Sequence, residues 1–218
     1  MTPRKTRTAI LISGRGSNMQ ALIEAASAPD YPAEIVLVVS NRPDAPGLAW
    51  AQERGVKTLA IDHKSHATRE AFEGALQDAL EAAGTELVAL AGFMRLMTPG
   101  FVETWRDRMI NIHPSLLPSF KGLHTHERAL AAGIRITGCT VHFVRTEMDE
   151  GPIIAQAAVA VRNGDTPDAL AARVLEAEHG LYPLALSLVA SGRVRCDGEK
   201  IIMDQDTNLN PPLYSPSL

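Results

Sequence analysis

The sequence has few cysteines, few aromatic residues and no long apolar segment. Only two of its 218 residues are cysteines, Cys139 and Cys196, and neither belongs to a Cys-x-x-Cys pair. We therefore interpret both as free, buried thiols, which suits a reducing compartment. No segment approaches the roughly 20 apolar residues that a membrane-spanning helix needs. These features predict a cytoplasmic protein that does not span a membrane.

Positive charge is also scarce. The formal net charge is −4, and no long basic run follows the first few residues, so a nucleic-acid partner is not predicted. Aromatic residues make up 5% of the chain, whereas hydrophobic residues make up 45% and are mostly Ala, Leu and Val. That balance favours helices packed on a buried sheet over a β-sandwich.

Short apolar strands alternate with helical segments along the chain. Strands are predicted at residues 8–12, 34–40, 57–61, 87–92, 108–113, 136–144 and 153–161, and helices at 17–28, 46–54, 68–83, 125–132 and from 166 onward. The alternation predicts an α/β fold, a single domain with a doubly wound, mostly parallel, Rossmann-like sheet. Pro183 should kink or interrupt the last helix, and residues 192–204 resemble a terminal hairpin. We expect a ragged start over 1–7, a domain over 8–205 and a loose tail over 206–218.

Asn111 and His113 stand out at the end of a predicted strand. Residues two apart on an extended backbone point to the same side, and Pro114 favours that backbone at His113. An amide and a protonated imidazole can both donate to one developing oxyanion. Asp149, brought in from elsewhere, could orient the imidazole and hold it protonated. These groups suit an acyl-type transfer in which the protein supplies no nucleophile.

Residues 13–18 form a glycine-rich turn between a strand and a helix, where backbone N–H groups can hold a phosphate. The turn lacks the Gly-Lys-Ser/Thr of a Walker A loop, and Met19 replaces the third glycine of a dinucleotide fingerprint. We favour a monophosphate site. A tight turn without a ligand is an equally simple interpretation, and Arg42 leaves NADP open.

Other polar residues have two interpretations each. His124 and His126 resemble metal ligands, but no third ligand follows at zinc-like spacing, so polar residues at a helix start are favoured. His142 is either a satisfied semi-buried histidine or a group that supports Asp149. Residues 93–97 suit a flat heterocycle or a buried plug at the end of a strand. Glu178 most simply faces water.

Six segments together resemble the phosphoribosylglycinamide formyltransferases of purine synthesis. They are residues 13–18, 91–95, 111–118, 122–126, 137–144 and 149–152, in the family's order. The resemblance runs from about residue 8 to about 205. It implies a formyltransferase fold and transfer of a formyl group from the co-substrate 10-formyltetrahydrofolate to the amine of phosphoribosylglycinamide, without a metal. It leaves a monomer or a homodimer open.

The resemblance also implies roles for individual residues. The catalytic trio would be His113, Asn111 and Asp149. The ribonucleotide would contact Gly16, Ser17, Asn18 and Glu178. The folate would contact Arg69, Met94, Arg95, Leu96, Met97, Asn111, Arg145, Thr146, Glu147, Met148 and Asp149, the last five as a loop closing on the pterin.

The sequence leaves four other functions to compare with this one. Methionyl-tRNA formyltransferases share the block at 111–118 but carry a further C-terminal domain and need a basic surface. Formyltetrahydrofolate hydrolases carry a regulatory domain before the first strand, which here is expected by residue 8. An NADP-dependent reductase would need the glycine that Met19 replaces. A binding module without catalysis would not need Asn111, His113 and Asp149 together.

Overall fold

The computed structural model describes residues 4–204 and residue 215. The predicted tail at 206–218 therefore lies outside the described residues except for Ser215, as does the domain boundary at 205. Seven strands form one sheet: β1 (Thr6–Ile12), β2 (Ala33–Ser40), β3 (Thr58–Ala60), β4 (Leu87–Leu90), β5 (Met109–His113), β6 (Ile136–Phe143) and β7 (Ile153–Ala160). Their spatial order is β3-β2-β1-β4-β5-β6-β7.

The sheet is mostly parallel, as predicted. The strands from β3 to β5 pair in parallel, whereas β6 pairs antiparallel with both β5 and β7. Five α-helices lie between successive strands from β1 to β6, namely α1 (Ser17–Ala26), α2 (Pro46–Glu53), α3 (Arg69–Ala82), α4 (Pro99–Thr104) and α5 (Thr125–Ala131), and α6 (Pro167–Ala190) follows β7. Two further strands, β8 (Val194–Asp197) and β9 (Lys200–Met203), form the predicted hairpin.

Helices cover both faces of the sheet because its strands carry apolar side chains on both sides. In β1, Ile10 and Ile12 pack into a core with α1, α5 and α6, whereas Ala9 and Leu11 pack into a second core with α3 and α4. Both cysteines are free, as expected, but only Cys139 is buried, because Cys196 is half-buried. Burial raises the pKa of Cys139 to about 12, so its thiol stays protonated and unreactive.

Helix α6 is fastened to the centre of the sheet by one side chain. Tyr182 is completely buried, and its hydroxyl lies 3.0 Å from the Leu90 carbonyl oxygen and 3.2 Å from that of Ile110. These carbonyls belong to the adjacent strands β4 and β5. These two hydrogen bonds set the position of α6 along its axis relative to the carboxyl ends of β4 and β5.

Three details differ from the predictions. Strand β1 begins at Thr6, whose N–H donates to the Pro32 carbonyl, so the ragged start expected over residues 1–7 is wrong for Thr6 and Arg7. Pro183 does not interrupt α6, because Tyr182 is buried beside it and the Pro183 carbonyl accepts a hydrogen bond from Tyr31 at 2.6 Å. Helix α4 was not predicted, although Thr98 caps its Phe101 N–H and a proline follows the cap.

Candidate active site

The antiparallel pairing of β5 with β6 brings four polar residues together at one end of the sheet. Asn111 lies opposite His142, and His113 lies opposite Thr140. His113 and His142 are both buried. Sheet hydrogen bonds on both sides of β5 hold the backbone of this cluster, since β5 lies between β4 and β6.

His113 faces an acceptor at each ring nitrogen. Its Nδ1 lies 3.4 Å from Asp149 Oδ1, and its Nε2 lies 3.0 Å from the Phe120 carbonyl oxygen. A neutral imidazole carries one N–H, whereas an imidazolium carries two. Only the imidazolium form therefore has an N–H for each of these two acceptors.

The amide of Asn111 is oriented by His142. His142 Nδ1 donates to the Phe143 carbonyl at 2.9 Å, so its Nε2 is left as an acceptor for Asn111 Nδ2 at 3.3 Å. Burial lowers the pKa of His142, although the bond to Phe143 opposes that shift. The ring stays neutral, and one of the two N–H groups of Asn111 remains for a ligand. Of the two interpretations of His142, the structure therefore favours a supporting role, although the residue that His142 contacts is Asn111.

Asp149 lies on a loop between β6 and β7 and is held at its carboxylate. Asp149 has a positive φ of 53°, and its Oδ2 accepts the Gly122 N–H at 2.7 Å. The neighbouring Glu150 pairs with Lys121. Gly151 has φ +118°, and a Cβ there would lie 2.2 Å from the Phe143 carbonyl oxygen. The loop can follow this path only because residue 151 is glycine.

The glycine-rich turn ends at Gly16, which adopts the left-handed conformation with φ 67° and begins α1. No side chain caps α1 and no acidic residue stands in its first turn, so its N–H groups face outward with the positive end of the helix dipole. Gly47 of α2 packs against the turn, since its N–H donates to the Gly14 carbonyl at 3.1 Å and a Cβ there would lie 2.9 Å from that oxygen.

Asn18 and Glu178 meet beside this turn, although 160 residues separate them. Asn18 Nδ2 donates to Glu178 Oε2 at 2.7 Å, and both residues are buried. Burial raises the pKa of Glu178, and the bond from Asn18 opposes that shift. Among the described residues, Asn18 Oδ1 has no hydrogen-bond partner. The pair therefore offers a buried carboxyl group and a free acceptor beside a turn that could hold an anion, and Glu178 does not face water.

The segment after β4 exposes apolar side chains but is fixed at both ends. Met94 and Leu96 are 73% and 59% exposed. The Met94 N–H donates to Ser13 Oγ at 2.8 Å, and Ser13 donates in turn to Asn41 at 2.6 Å. At the other end, buried Glu73 accepts hydrogen bonds from the backbone and the hydroxyl of Thr98. An exposed apolar segment with a fixed backbone suits a flat ring.

Arg145 begins the loop that carries Asp149, but its side chain points elsewhere. Its guanidinium lies against Glu199 in the β8–β9 turn and against Asp107 in the turn before β5. Thr146, Glu147 and Met148 are exposed. A contact between Arg145 and a ligand on the exposed side of the loop would therefore come from the backbone.

The remaining candidates lie around this centre. Arg69 is exposed at the start of α3, one turn before Phe72, and Arg95 lies over the Phe72 ring at 5.9 Å.

His124 and His126 do stand at a helix start, in α5. Within residues 4–204 and 215, no three His, Cys, Asp or Glu side chains are grouped to hold a metal ion. None of the helices that the structure describes is long and apolar enough to cross a membrane.

Comparison with known proteins decides the family. The sequence profile described as "Formyl transferase" matches residues 6–186, most of the chain. The chain belongs to the formyl transferase family.

Individual relatives agree with this assignment. The chain is 52% identical over 193 residues to the trifunctional purine biosynthetic protein adenosine-3 of Bos taurus, covering 88% of this chain but 19% of that protein. It is 44% identical over 186 residues to phosphoribosylglycinamide formyltransferase of Escherichia coli, covering 85% of this chain and 88% of that protein. The crystal structure of glycinamide ribonucleotide transformylase 1 from Symbiobacterium toebii matches with a TM-score of 0.88 and 44% identity, covering 91% and 94%. The resemblance and fold class predicted from the sequence are confirmed.

Some residues around the formyl transferase centre were missed from the sequence. Ser13 was predicted only as part of a turn, and Asn41 only as the end of a strand. His126 is half-buried near His113: burial lowers its pKa, Glu127 opposes the shift, and the charge of His113 adds to it. Polar residues at the ends of neighbouring strands are a signal for the first two, since such ends meet at one edge. No sequence signal places His126 beside His113.

Proposed function

We propose that this formyl transferase moves the formyl group of 10-formyltetrahydrofolate to the glycinamide amine of phosphoribosylglycinamide. The observation that carries the proposal is His113, held at ion-pair distance from Asp149 and placed on the same strand as Asn111. The relatives from E. coli and S. toebii, named for this reaction, support the choice of substrates.

The proposed chemistry needs no protein nucleophile. The glycinamide nitrogen attacks the formyl carbon, and the carbonyl electrons move to oxygen. The free N–H of Asn111 and the imidazolium of His113 donate to that oxyanion. The Nε2–H of His113 exchanges the Phe120 carbonyl for the oxyanion, because a charged acceptor forms the stronger bond. The bond between the formyl carbon and the folate nitrogen then breaks.

One proton must move during this sequence. The attacking amine loses a proton and the departing folate nitrogen gains one, so the reaction balances without an external acid. His113, or a water ordered by Asp149, carries the proton between the two nitrogens. Asp149 stabilises the imidazolium and keeps the ring oriented through Nδ1.

The two substrates are proposed to occupy opposite sides of this centre. The ribonucleotide phosphate lies at Gly16, Ser17 and Asn18, where the α1 dipole is uncompensated. Glu178 and Asn18 Oδ1 accept from the glycinamide or ribose donors. The folate ring lies against the backbone of residues 94–97, with Arg69, Asn111 and residues 145–149 around it.

The deciding experiment follows the absorbance of a formyl-folate analogue on mixing with the purified chain. Deformylation that requires phosphoribosylglycinamide supports the proposal. Deformylation without the ribonucleotide would show a hydrolase, and folate binding without deformylation would show a binding module. A cytoplasmic location and a monomeric or homodimeric state remain predictions.

A further inference from the structure

We propose that Arg145 is a positioning residue for folate binding, because it ties the loop at residues 146–149 to the β8–β9 hairpin through Glu199. This inference rests on the proposed function, since it assigns a role within the folate site. It differs from a direct contact between the Arg145 side chain and folate.

The contacts of Arg145 lie on the side of the hairpin. Its Nε lies 2.9 Å from Glu199 Oε2 and 3.2 Å from Glu199 Oε1, and its Nη2 lies 2.8 Å from Asp107 Oδ1. Its Nη1 donates to the Val144 carbonyl at 3.1 Å. The residue is buried. Burial lowers the pKa of Arg145, but the bonds to Glu199 and Asp107 outweigh that effect and leave the pKa raised.

Glu199 is fixed from more than one direction. Arg106, which precedes β5, donates to Glu199 Oε1 at 2.6 Å and to Glu103 of α4 at 3.0 Å. The hairpin itself is anchored, because Val194 is buried in the core that contains α6. An ion pair whose far partner is held in place can fix the position of the loop, whereas an ion pair between two mobile side chains cannot.

The loop has little else to hold its first half. Thr146, Glu147 and Met148 are exposed, and a 490 Å³ cavity lies along the loop, lined by residues of the loop and of the tether: Glu103, Arg106, Arg145, Thr146, Glu147, Glu150, Gly151 and Glu199. The second half is held at Asp149 and Gly151. Arg145 thus supplies the fixed point at the start of a segment that would otherwise have space to move.

Steady-state kinetics of four variants of the full chain test the tether. Arg145→Ala and Glu199→Ala should each raise the KM for formyl folate about three- to tenfold, with the KM for the ribonucleotide within about twofold. The double variant should be no worse than the poorer single variant, because the Arg145–Glu199 bond is already absent from each single variant. Arg195→Ala is the matched control, since it removes the exposed pair with Asp204 in the same hairpin and should change neither KM.

Hydrogen exchange of residues 146–149 gives a readout that does not depend on activity. Exchange should accelerate in Arg145→Ala and Glu199→Ala and stay unchanged in Arg195→Ala. If Arg145→Ala folds poorly, Glu199→Gln tests the same connection from the hairpin side.

Two results would overturn the tether. A raised folate KM in Arg145→Ala with a normal KM and normal exchange in Glu199→Ala would show that the bond to Glu199 does not position the loop, and that Arg145 acts on folate binding through other contacts. An equal loss of active enzyme in both, with both KM values unchanged, would show a purely structural role. Absence of formyl transfer by the wild-type chain would instead refute the proposed function. The exchange measurement would then still decide whether the tether holds the loop.

Discussion

Asn111 and His113 sit on a central strand, whereas Asp149 sits on a loop, and the two regions are held by different contacts. The strand is fixed by backbone hydrogen bonds to β4 and β6. The loop is held by side chains and by single backbone groups, namely Arg145, the Gly122 N–H and the pair of Lys121 with Glu150. Donors that must meet an oxyanion need a fixed scaffold, while a segment that surrounds a large co-substrate benefits from adjustable contacts.

The difference makes a general prediction about variants. A change at His113 on the strand should lower kcat and leave binding intact. Changes in the loop should act mainly on the KM for folate, with Asp149 as the exception because it acts on the strand-borne His113.

The largest effect is expected from His113→Ala. Removing the imidazolium takes away an oxyanion donor and a proton carrier, so kcat should fall about a thousandfold. Both substrates should still bind, because the phosphate turn and the 94–97 segment are untouched. Loss of ribonucleotide binding measured by calorimetry would show that His113 also shapes the acceptor site.

Asp149→Asn should lower kcat about a hundredfold, because the amide keeps the size of the side chain but removes the charge opposite His113. Glu150→Gln is the matched control, since it neutralises the adjacent carboxylate, which pairs with the partly exposed Lys121. Its kcat should stay within about twofold of wild type. Equal losses in the two variants would mean that the loop acts through its total charge.

Asn18→Ala should raise the KM for the ribonucleotide about tenfold, a loss typical of one buried hydrogen-bonding group. The KM for formyl folate should not change, because Asn18 lies in the first turn of α1 beside Glu178, on the proposed acceptor side. The reverse pattern in two-substrate kinetics would overturn the assignment of the phosphate turn.

Gly151→Ala should raise the folate KM a few-fold, about two- to fivefold, because its Cβ would lie 2.2 Å from the Phe143 carbonyl and push the loop aside. Gly164→Ala is the control: it also has a positive φ, +81°, but open space around a Cβ. If the folate KM rises equally in both variants, the strain of a positive φ explains the rise and the position of the loop does not.

The smallest effect concerns stability. Burial raises the pKa of Glu178, so the folded protein is more stable when this carboxyl is protonated. That contribution is complete below the unfolded value of 4.5 and is lost as pH rises through the raised pKa. Glu178→Gln should remove this dependence and stabilise the free protein at pH 7 by about 1 kcal/mol. Urea unfolding of the wild type and of Glu178→Gln between pH 4 and 8 measures this dependence. If the variant keeps the pH profile of the wild type, Glu178 is not the cause of the dependence.

The sequence could predict the strand-borne half of the site more fully than the loop-borne half. Strand periodicity and Pro114 place Asn111 and His113 on one side of β5, and the glycine-rich turn falls where α1 begins. The meeting of Asn18 with Glu178 depends on how α6 packs on the sheet, which no local pattern encodes. The contact of Arg145 with Glu199 depends on the fold of a hairpin 54 residues away, so only the resemblance suggested a role for Arg145, as a folate contact.

Small boundary errors have equally local causes. Strand β1 extends to Thr6 because β2 already runs beside it from Ala33. Helix α6 passes Pro183 because tertiary packing outweighs the loss of one helical hydrogen bond. The short helix α4 carries a threonine cap and a proline, the same start signal as α6, but too few residues to show a period.

Glu178 and Tyr182 lie one turn apart on α6, so the helix sets the distance between the proposed acceptor pocket and the two strands to which Tyr182 is bonded. A redesign for a longer or shorter acceptor amine must therefore either shift α6 or change its side chains. A substitution at position 178 changes the group that faces the acceptor, whereas a shift of α6 along its axis would also detach the hydroxyl of Tyr182 from the strands.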